Sequence, residues 1–162
     1  MKNTKFYVCT HCHNIAEMVY DTDVPLYCCG TKMEELRPGT VEASGEKHIP
    51  AVKVAAGSVE VNVGTVNHPM ERIHWIEWIQ LVTDRGSYRK WLNPGEAPNV
   101  KFLLGDEQPV AVYAYCNLHG LWKTELTYTP KRQLLFEAAF CMARFAAAYT
   151  EAVQKFLRRS VG

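Results

Sequence analysis

The stretch Tyr115-Cys116-Asn117-Leu118-His119-Gly120 places a thiol and an imidazole three residues apart, directly after an apolar run with the composition of a β-strand. Cys and His side chains are common ligands of transition metals, because thiolate suits soft metals and imidazole suits iron, copper and zinc. We therefore expect the chain to fold around this turn and to hold a metal ion beside it.

Three more histidines lie upstream, namely His48, His68 and His74. Together with Cys116 and His119 they give five candidate ligands. Five ligands are one too many for a closed zinc site and one too few for a closed octahedron. The count therefore indicates a metal centre with an open coordination position.

The composition is that of an ordinary globular protein, with 162 residues, 48% hydrophobic content and a net charge of +1. This length suffices for one domain with a hydrophobic core and a smaller module. A nearly neutral chain has no broad electrostatic surface for nucleic acid or a membrane, so we expect neither as a partner. Residues 1–5 are not followed by an apolar segment, which predicts no signal peptide and a cytoplasmic, reducing compartment. The six cysteines are then expected to be metal ligands or catalytic thiols.

Residues 1–37 have the pattern of a small metal-binding module. It contains four of the cysteines: Cys9, Cys12, Cys28 and Cys29. So short a segment cannot bury a sufficient core, so a tetrathiolate metal site is expected to supply its folding energy. Spacing alone leaves iron and zinc open, and the adjacent pair Cys28-Cys29 requires a distorted geometry because neighbouring side chains point apart. His11 and His13 are expected to be exposed loop residues.

Residues 38–47 have linker composition, and a second domain is predicted over residues 48–129. Its strand-like segments are Ser58–Val63, Ile73–Val82, Pro109–Tyr115 and Trp122–Tyr128. Short strands separated by turns, with no helical pattern between them, predict an antiparallel β-sandwich. The tryptophans are expected to serve its core or the walls of the site: Trp75, Trp78, Trp91 and Trp122.

Residues 130–162 change character, because apolar side chains recur there at heptad-like spacing. The pattern predicts one long C-terminal α-helix that packs on its own domain or on a partner subunit. Glu137 and Arg144 within the run disfavour a membrane span. Cys141 is expected to be a small buried apolar residue.

Several motifs, taken in order, resemble one known family. They are Cys9-x-x-Cys12, Cys28-Cys29, Glu46-Lys47-His48-x-Pro50, His68, His74 and Cys116-Asn117-x-His119-Gly120. This order is similar to that of desulfoferrodoxin, the two-iron form of superoxide reductase, over roughly residues 5–127. The resemblance implies a desulforedoxin-like N-terminal domain that binds one iron through its four cysteines. It further implies an immunoglobulin-like β-sandwich whose iron is held by four histidines in a plane, with Cys116 axial and one face open.

The resemblance also implies an activity and partners. Members of the family reduce superoxide to hydrogen peroxide, usually form homodimers, and draw electrons from rubredoxin-type donors. Glu46 would occupy the open position of the oxidised resting site, and Lys47 would attract superoxide and organise the water that delivers a proton. Where the family usually has glycine, this chain has His13. If that position needs φ > 0, histidine is tolerated at some strain.

Other functions are compatible with parts of the pattern. One is a non-catalytic iron electron carrier or redox sensor that uses the tetrathiolate site. Another is a zinc-stabilised binding protein that uses the C-terminal helix. A nucleophilic pair of Cys116 and His119 is disfavoured, because no oxyanion-hole motif or third orienting group accompanies it.

Overall fold

The structure, a computed structural model, describes residues 4–40 and 43–126, which belong to one compact unit that ends at Leu126. The predicted C-terminal helix over residues 130–162, Cys141 and the last residues of the predicted second domain lie outside the described residues. Within the described residues the chain is mainly β, as predicted. No helix among them is long and apolar enough to cross a membrane.

The N-terminal module is built from five short strands. They are β1 (Lys5–Val8), β2 (Ile15–Met18), β3 (Tyr27–Cys28), β4 (Thr31–Lys32) and β5 (Glu34–Glu35). The antiparallel sheet has the order β2-β1-β5, and β3 pairs with β4 in a separate hairpin. Each strand is too short to build a core of its own, so the module depends on its metal site and on what it packs against.

The second part of the chain is an antiparallel β-sandwich. Its elements are α1 (Gly45–His48), β6 (Pro50–Ala55), β7 (Ser58–Val63), β8 (Ile76–Thr83), β9 (Ser87–Trp91), β10 (Asn99–Leu103), β11 (Pro109–Cys116) and β12 (Gly120–Glu125). One sheet has the order β10-β7-β6 and the other β12-β11-β8-β9. Alternation along β7 turns Val59, Val61 and Val63 into the core between the sheets, where they meet Ile76 and Val112.

The outer face of the four-stranded sheet is also apolar. Trp78, Tyr113 and Leu121 line this face, and Phe6 of the N-terminal module packs onto them. The Phe6 side chain is 1% exposed, and its ring centre lies 5.3 Å from that of Trp78 and 5.5 Å from that of Tyr113. The module therefore covers a sheet face that a two-layer sandwich would leave to solvent.

A polar cluster borders this apolar contact. Gln80 is fully buried and donates a hydrogen bond of 2.7 Å from Nε2 to Oε1 of Glu17 in the module. Arg89 donates from Nε to Oε1 of Gln80 at 2.7 Å and forms an ion pair with Glu17. The Arg89 guanidinium also lies 4.8 Å from the centre of the Trp78 ring. The buried Gln80 side chain is thus satisfied by Glu17 across the contact and by Arg89 of the neighbouring strand β9.

One detail differs from the predicted arrangement. Trp91 was expected in the core or at the site, but it is 67% exposed because β9 is an edge strand whose residues all face solvent. Within the predicted linker over residues 38–47, Gly39 N donates to Leu121 O at 2.9 Å, and Gly45 begins α1. The division into domains at this segment stays a prediction.

Candidate metal centres

The first half of the tetrathiolate group is a tight loop from Cys9 to Asn14. His13 N donates to Cys9 O at 2.9 Å, and Cys9 N donates to Asn14 O at 2.9 Å. To close the loop, His13 adopts a φ of 59°, a left-handed conformation in which glycine is normally favoured. His11 and His13 are exposed, as predicted.

The second half is the hairpin between β3 and β4. Its two loop residues, Cys29 and Gly30, have φ values of 51° and 75°, as a type I′ turn requires. This left-handed turn is the reason that adjacent Cys28 and Cys29 can direct both sulfurs to one centre.

The four sulfurs form a cage of the right size for a metal. All lie within 4.8 Å of one another, with Cys12 Sγ and Cys28 Sγ 3.6 Å apart and Cys28 Sγ and Cys29 Sγ 3.9 Å apart. A tetrahedron of sulfurs with metal bonds of about 2.3 Å has edges of about 3.8 Å. The predicted ligands Cys9, Cys12, Cys28 and Cys29 are therefore together and correctly spaced.

The electrostatics of this cage also favour a bound cation. Backbone N–H groups of Cys12 and His11 lower the pKa of Cys9 to about 6. The neighbouring sulfur of Cys12, followed by that of Cys28, raises the pKa of Cys29 to about 12. Crowding thus opposes the ionisation of Cys29, and a metal cation removes that obstacle by compensating the negative charge.

The second group assembles at one end of the sandwich. His48 ends α1, His68 and His74 lie in the connection from β7 to β8, and Cys116 ends β11. His119 lies in the three-residue loop between the paired residues Cys116 and Gly120. Segments far apart in the sequence therefore bring the five predicted ligands together.

The four imidazole rings are arranged as a square. Successive ring centres, in the order His48, His68, His74, His119 and back to His48, are 4.5 to 4.8 Å apart. Successive rings are nearly perpendicular, with interplanar angles of 77° to 85°. The ligand atoms of the four rings and of Cys116 all lie within 4.8 Å of one another. This arrangement fits one metal ion between the rings.

Hydrogen bonds at the rear of the rings decide which nitrogen faces the centre. His48 Nδ1 donates to Ser44 O at 2.7 Å and His68 Nδ1 donates to Pro69 O, which leaves Nε2 of each ring directed inward. In His119 the inward atom is Nδ1, 2.9 Å from Nε2 of His48 and 3.6 Å from Cys116 Sγ. The Nε2 atoms of His68 and His74 are buried, and neither has a hydrogen-bond partner among the described residues. A metal ion would satisfy both atoms.

Burial sets the protonation of this group. It lowers the pKa of His68 to about 4 and lowers the pKa of His48 and His74 as well, so these rings are neutral ligands at pH 7. Burial also raises the pKa of the Cys116 thiol, while backbone N–H groups of His119 and Leu118 oppose that effect. Metal binding must therefore displace a proton from Cys116 but from none of these three rings.

The two predicted catalytic residues lie on α1, immediately before His48. Glu46 and Lys47 both have exposed side chains. Burial is the main cause of the lowered pKa of His48 and His74, and the positive charge of Lys47 adds to it. The Lys47 ammonium is thus close enough to influence two of the ligands electrostatically.

Comparison with known proteins agrees with this geometry. The sequence model of the family described as Desulfoferrodoxin matches residues 40–125. The chain belongs to the desulfoferrodoxin family. It is 46% identical to the desulfoferrodoxin of Nitratidesulfovibrio vulgaris, an alignment that covers 75% of this chain and 95% of that relative. It is 32% identical to the superoxide reductase of Thermococcus kodakarensis, over 51% of this chain and 88% of the relative.

A solved structure shows the same likeness in three dimensions. The crystal structure of the superoxide reductase from Treponema pallidum matches with a TM-score of 0.65 and 35% identity, over 76% of this chain and 100% of that chain. With both ligand groups assembled, the chain carries two iron sites, one with four Cys and one with four His and one Cys.

Asn117 supports the second site although it was not predicted to do so, and Trp122, which was expected in the core or in the walls of the site, contacts two of its ligands. Asn117 Oδ1 accepts from Trp75 N at 2.9 Å, and its Nδ2 donates to Ile73 O at 3.0 Å, which holds the backbone on both sides of His74. The Trp122 ring stacks on His48 with centres 4.8 Å apart, and its Nε1 donates to the carbonyl oxygen of His119 at 3.1 Å. The motif around Cys116 includes Asn117, but only the folded chain reveals its partners.

Proposed function

We propose that this chain is a superoxide reductase, which adds one electron and two protons to superoxide and releases hydrogen peroxide. The observation that carries the proposal is the cluster of four imidazoles and one thiol with ligand atoms within 4.8 Å of one another. Five such ligands leave one position of a six-coordinate metal for a small anion. Relatives and a solved structure that are named superoxide reductase support the same oxidoreductase activity.

Iron bound at this site would supply the transferred electron and a net positive charge at the open position. Neutral histidines leave that charge undiminished, since burial lowers the pKa of His48, His68 and His74. The Cys116 side chain, once deprotonated, donates electron density to the metal, which favours electron transfer to the substrate. Asn117 fixes the backbone on both sides of His74 and Trp122 stacks on the His48 ring, so that the ligand set does not have to rearrange during turnover.

Lys47 has two roles in this proposal. Its exposed ammonium raises the local positive potential and speeds the capture of superoxide, an effect that salt screens. It also holds a water molecule that delivers one of the two protons. Glu46, the neighbouring carboxylate on α1, would occupy the open position of a bound iron once the product has left.

Two ligand variants test the assignment. Cys116→Ser and His119→Ala are expected to abolish superoxide-dependent peroxide formation, measured by rapid mixing, while the tetrathiolate iron remains bound. His11→Ala, which alters an exposed histidine outside both ligand groups, is the matched control. Full activity in either ligand variant would overturn the proposal.

Electrons must come from a donor, and we assign this role to a rubredoxin-type protein. Cys12 and Cys29 expose one edge of the tetrathiolate site, which suits electron exchange with a partner. The same exposed edge favours the second candidate function, an electron carrier or redox sensor. That alternative would be supported instead if electron acceptors other than superoxide rapidly oxidised the tetrathiolate iron of the wild-type protein while superoxide gave no peroxide.

The assembly and the compartment are also proposals. Val19, Val24 and Tyr27 expose 92%, 67% and 70% of their surface on the N-terminal module, which fits a homodimer formed through this module. Sedimentation of the wild-type protein and of the double variant Val19→Ser, Val24→Ser tests the dimer, and an unchanged mass would contradict it.

The five cysteines of the described residues are free, as ligands in a reducing cytoplasm must be. Cell fractionation checks this location.

A further inference from the structure

The helical turn that carries Glu46 and Lys47 is braced by the chain that leaves β7. The carbonyl oxygen of Glu46 accepts from Thr65 N at 2.8 Å, from Val66 N at 3.2 Å and from Thr65 Oγ1 at 3.3 Å. Gly64 N donates to the carbonyl oxygen of Ile49, just beyond the turn, at 3.1 Å. Residues 64–66 thus hold the turn mainly through backbone hydrogen bonds.

Gly64 lies at the closest point of this contact. Its φ is +82°, and a Cβ atom built there would lie 2.7 Å from Lys47 O, 2.8 Å from Glu46 O and 2.3 Å from Val66 O. All three neighbours are backbone atoms, which cannot rotate away as a side chain can. Asn62 Nδ2 holds Gly64 O from the other side at 2.7 Å. Any side chain at this position must therefore displace backbone by several tenths of an ångström, with the turn of Glu46 and Lys47 on one side of the contact and Val66 on the other.

We propose that Gly64 is a positioning residue, which sets the place of the Glu46 carboxylate and the Lys47 ammonium over the open position of the metal centre. The inference rests on the proposed function, because it assigns those two side chains to that site. His48 ends the same turn, but its ring is also held from outside the turn by stacking on Trp122, so a push from position 64 displaces Glu46 and Lys47 more than the His48 ring. Displacements of this size matter for groups that act at a reacting centre.

Gly64→Ala tests the inference, with Gly57→Ala as the matched control. Gly57 has a similar φ of +73°, but a Cβ there would meet only Leu104 O at 3.5 Å, so both variants share the left-handed strain and only one displaces the turn. Iron content, the affinity of the oxidised protein for azide, and the rate constant for superoxide capture are measured. For Gly64→Ala we expect an unchanged iron content. Azide should bind at least fivefold more tightly, because a displaced Glu46 competes less well for the open position, and superoxide capture should be at least fivefold slower, because a displaced Lys47 attracts superoxide less well. Gly57→Ala should stay within twofold of wild type in both quantities.

Equal behaviour of the two glycine variants would overturn the inference. If Gly64→Ala does not fold, Thr65→Val tests whether this contact positions the turn, because it removes only the hydroxyl donor to Glu46 O. It should tighten azide binding about threefold, and Thr65→Ser should restore the wild-type value; no change in Thr65→Val would then overturn the inference. Azide binding keeps the two proposals separable. A wild-type protein without superoxide reduction refutes the function, whereas unchanged azide affinity in the variants refutes the role of Gly64.

Discussion

Replacing Phe6 by alanine is expected to loosen the N-terminal module from the sandwich. The Phe6 side chain is 1% exposed and contacts the rings of Trp78 and Tyr113. Truncation of a phenylalanine at such a site lowers the free energy of unfolding by about 3–5 kcal/mol, through lost burial and the cavity left behind. That is a large share of the ~5–15 kcal/mol that stabilises an ordinary protein.

The assay is urea unfolding of the iron-loaded protein, followed by tryptophan emission and by the visible absorbance of the tetrathiolate iron. In Phe6→Ala both signals should change at lower urea than in wild type, because Trp78 loses its cover and the module loses its support. Leu103→Ala is the control, since it removes a large apolar side chain that is 75% exposed and lies outside the proposed dimer surface. We expect a change of less than about 0.5 kcal/mol for the control. A loss below about 1 kcal/mol in Phe6→Ala would refute the role of this contact.

Three further perturbations have defined outcomes. Lys47→Ala should slow superoxide capture severalfold and weaken its dependence on ionic strength, as seen by rapid mixing; an unchanged rate constant argues against steering. The hydrogen bond from Tyr88 to Glu107 raises the pKa of Tyr88, so its stabilising effect is present below the unfolded value of 10.0 and is lost as pH rises through the higher folded value. Melting temperatures of Tyr88→Phe should therefore lie below wild type at pH 8 and converge with it at higher pH; a constant gap contradicts this. His13→Gly should stabilise the module by roughly 0.5–1 kcal/mol in urea unfolding, because it removes a left-handed histidine; destabilisation would show that the side chain makes a needed contact.

Local patterns predicted much of this molecule. Alternation from Ser58 to Val63 predicted a half-buried strand, since successive side chains on a strand point to opposite faces, and the structure confirms it. The spacing of Cys116 and His119 predicted a shared site, because a short hairpin loop keeps both residues at one strand end. The expectation for Trp91 was wrong, because composition does not reveal which strand becomes the edge of a sheet.

The sequence by itself determined the ligands, their number and the β character of the chain, because these follow from residue types and from spacings of a few residues. Only the tertiary structure decided how the ligands are held. The hydrogen bond from Trp75 to Asn117 joins residues 42 positions apart, and the contact of Phe6 with Trp78 joins separate sheets. Likewise, a side chain at position 64 would clash with the turn only because the fold brings the end of β7 against α1. Such contacts depend on the packing of distant segments, which no local pattern encodes.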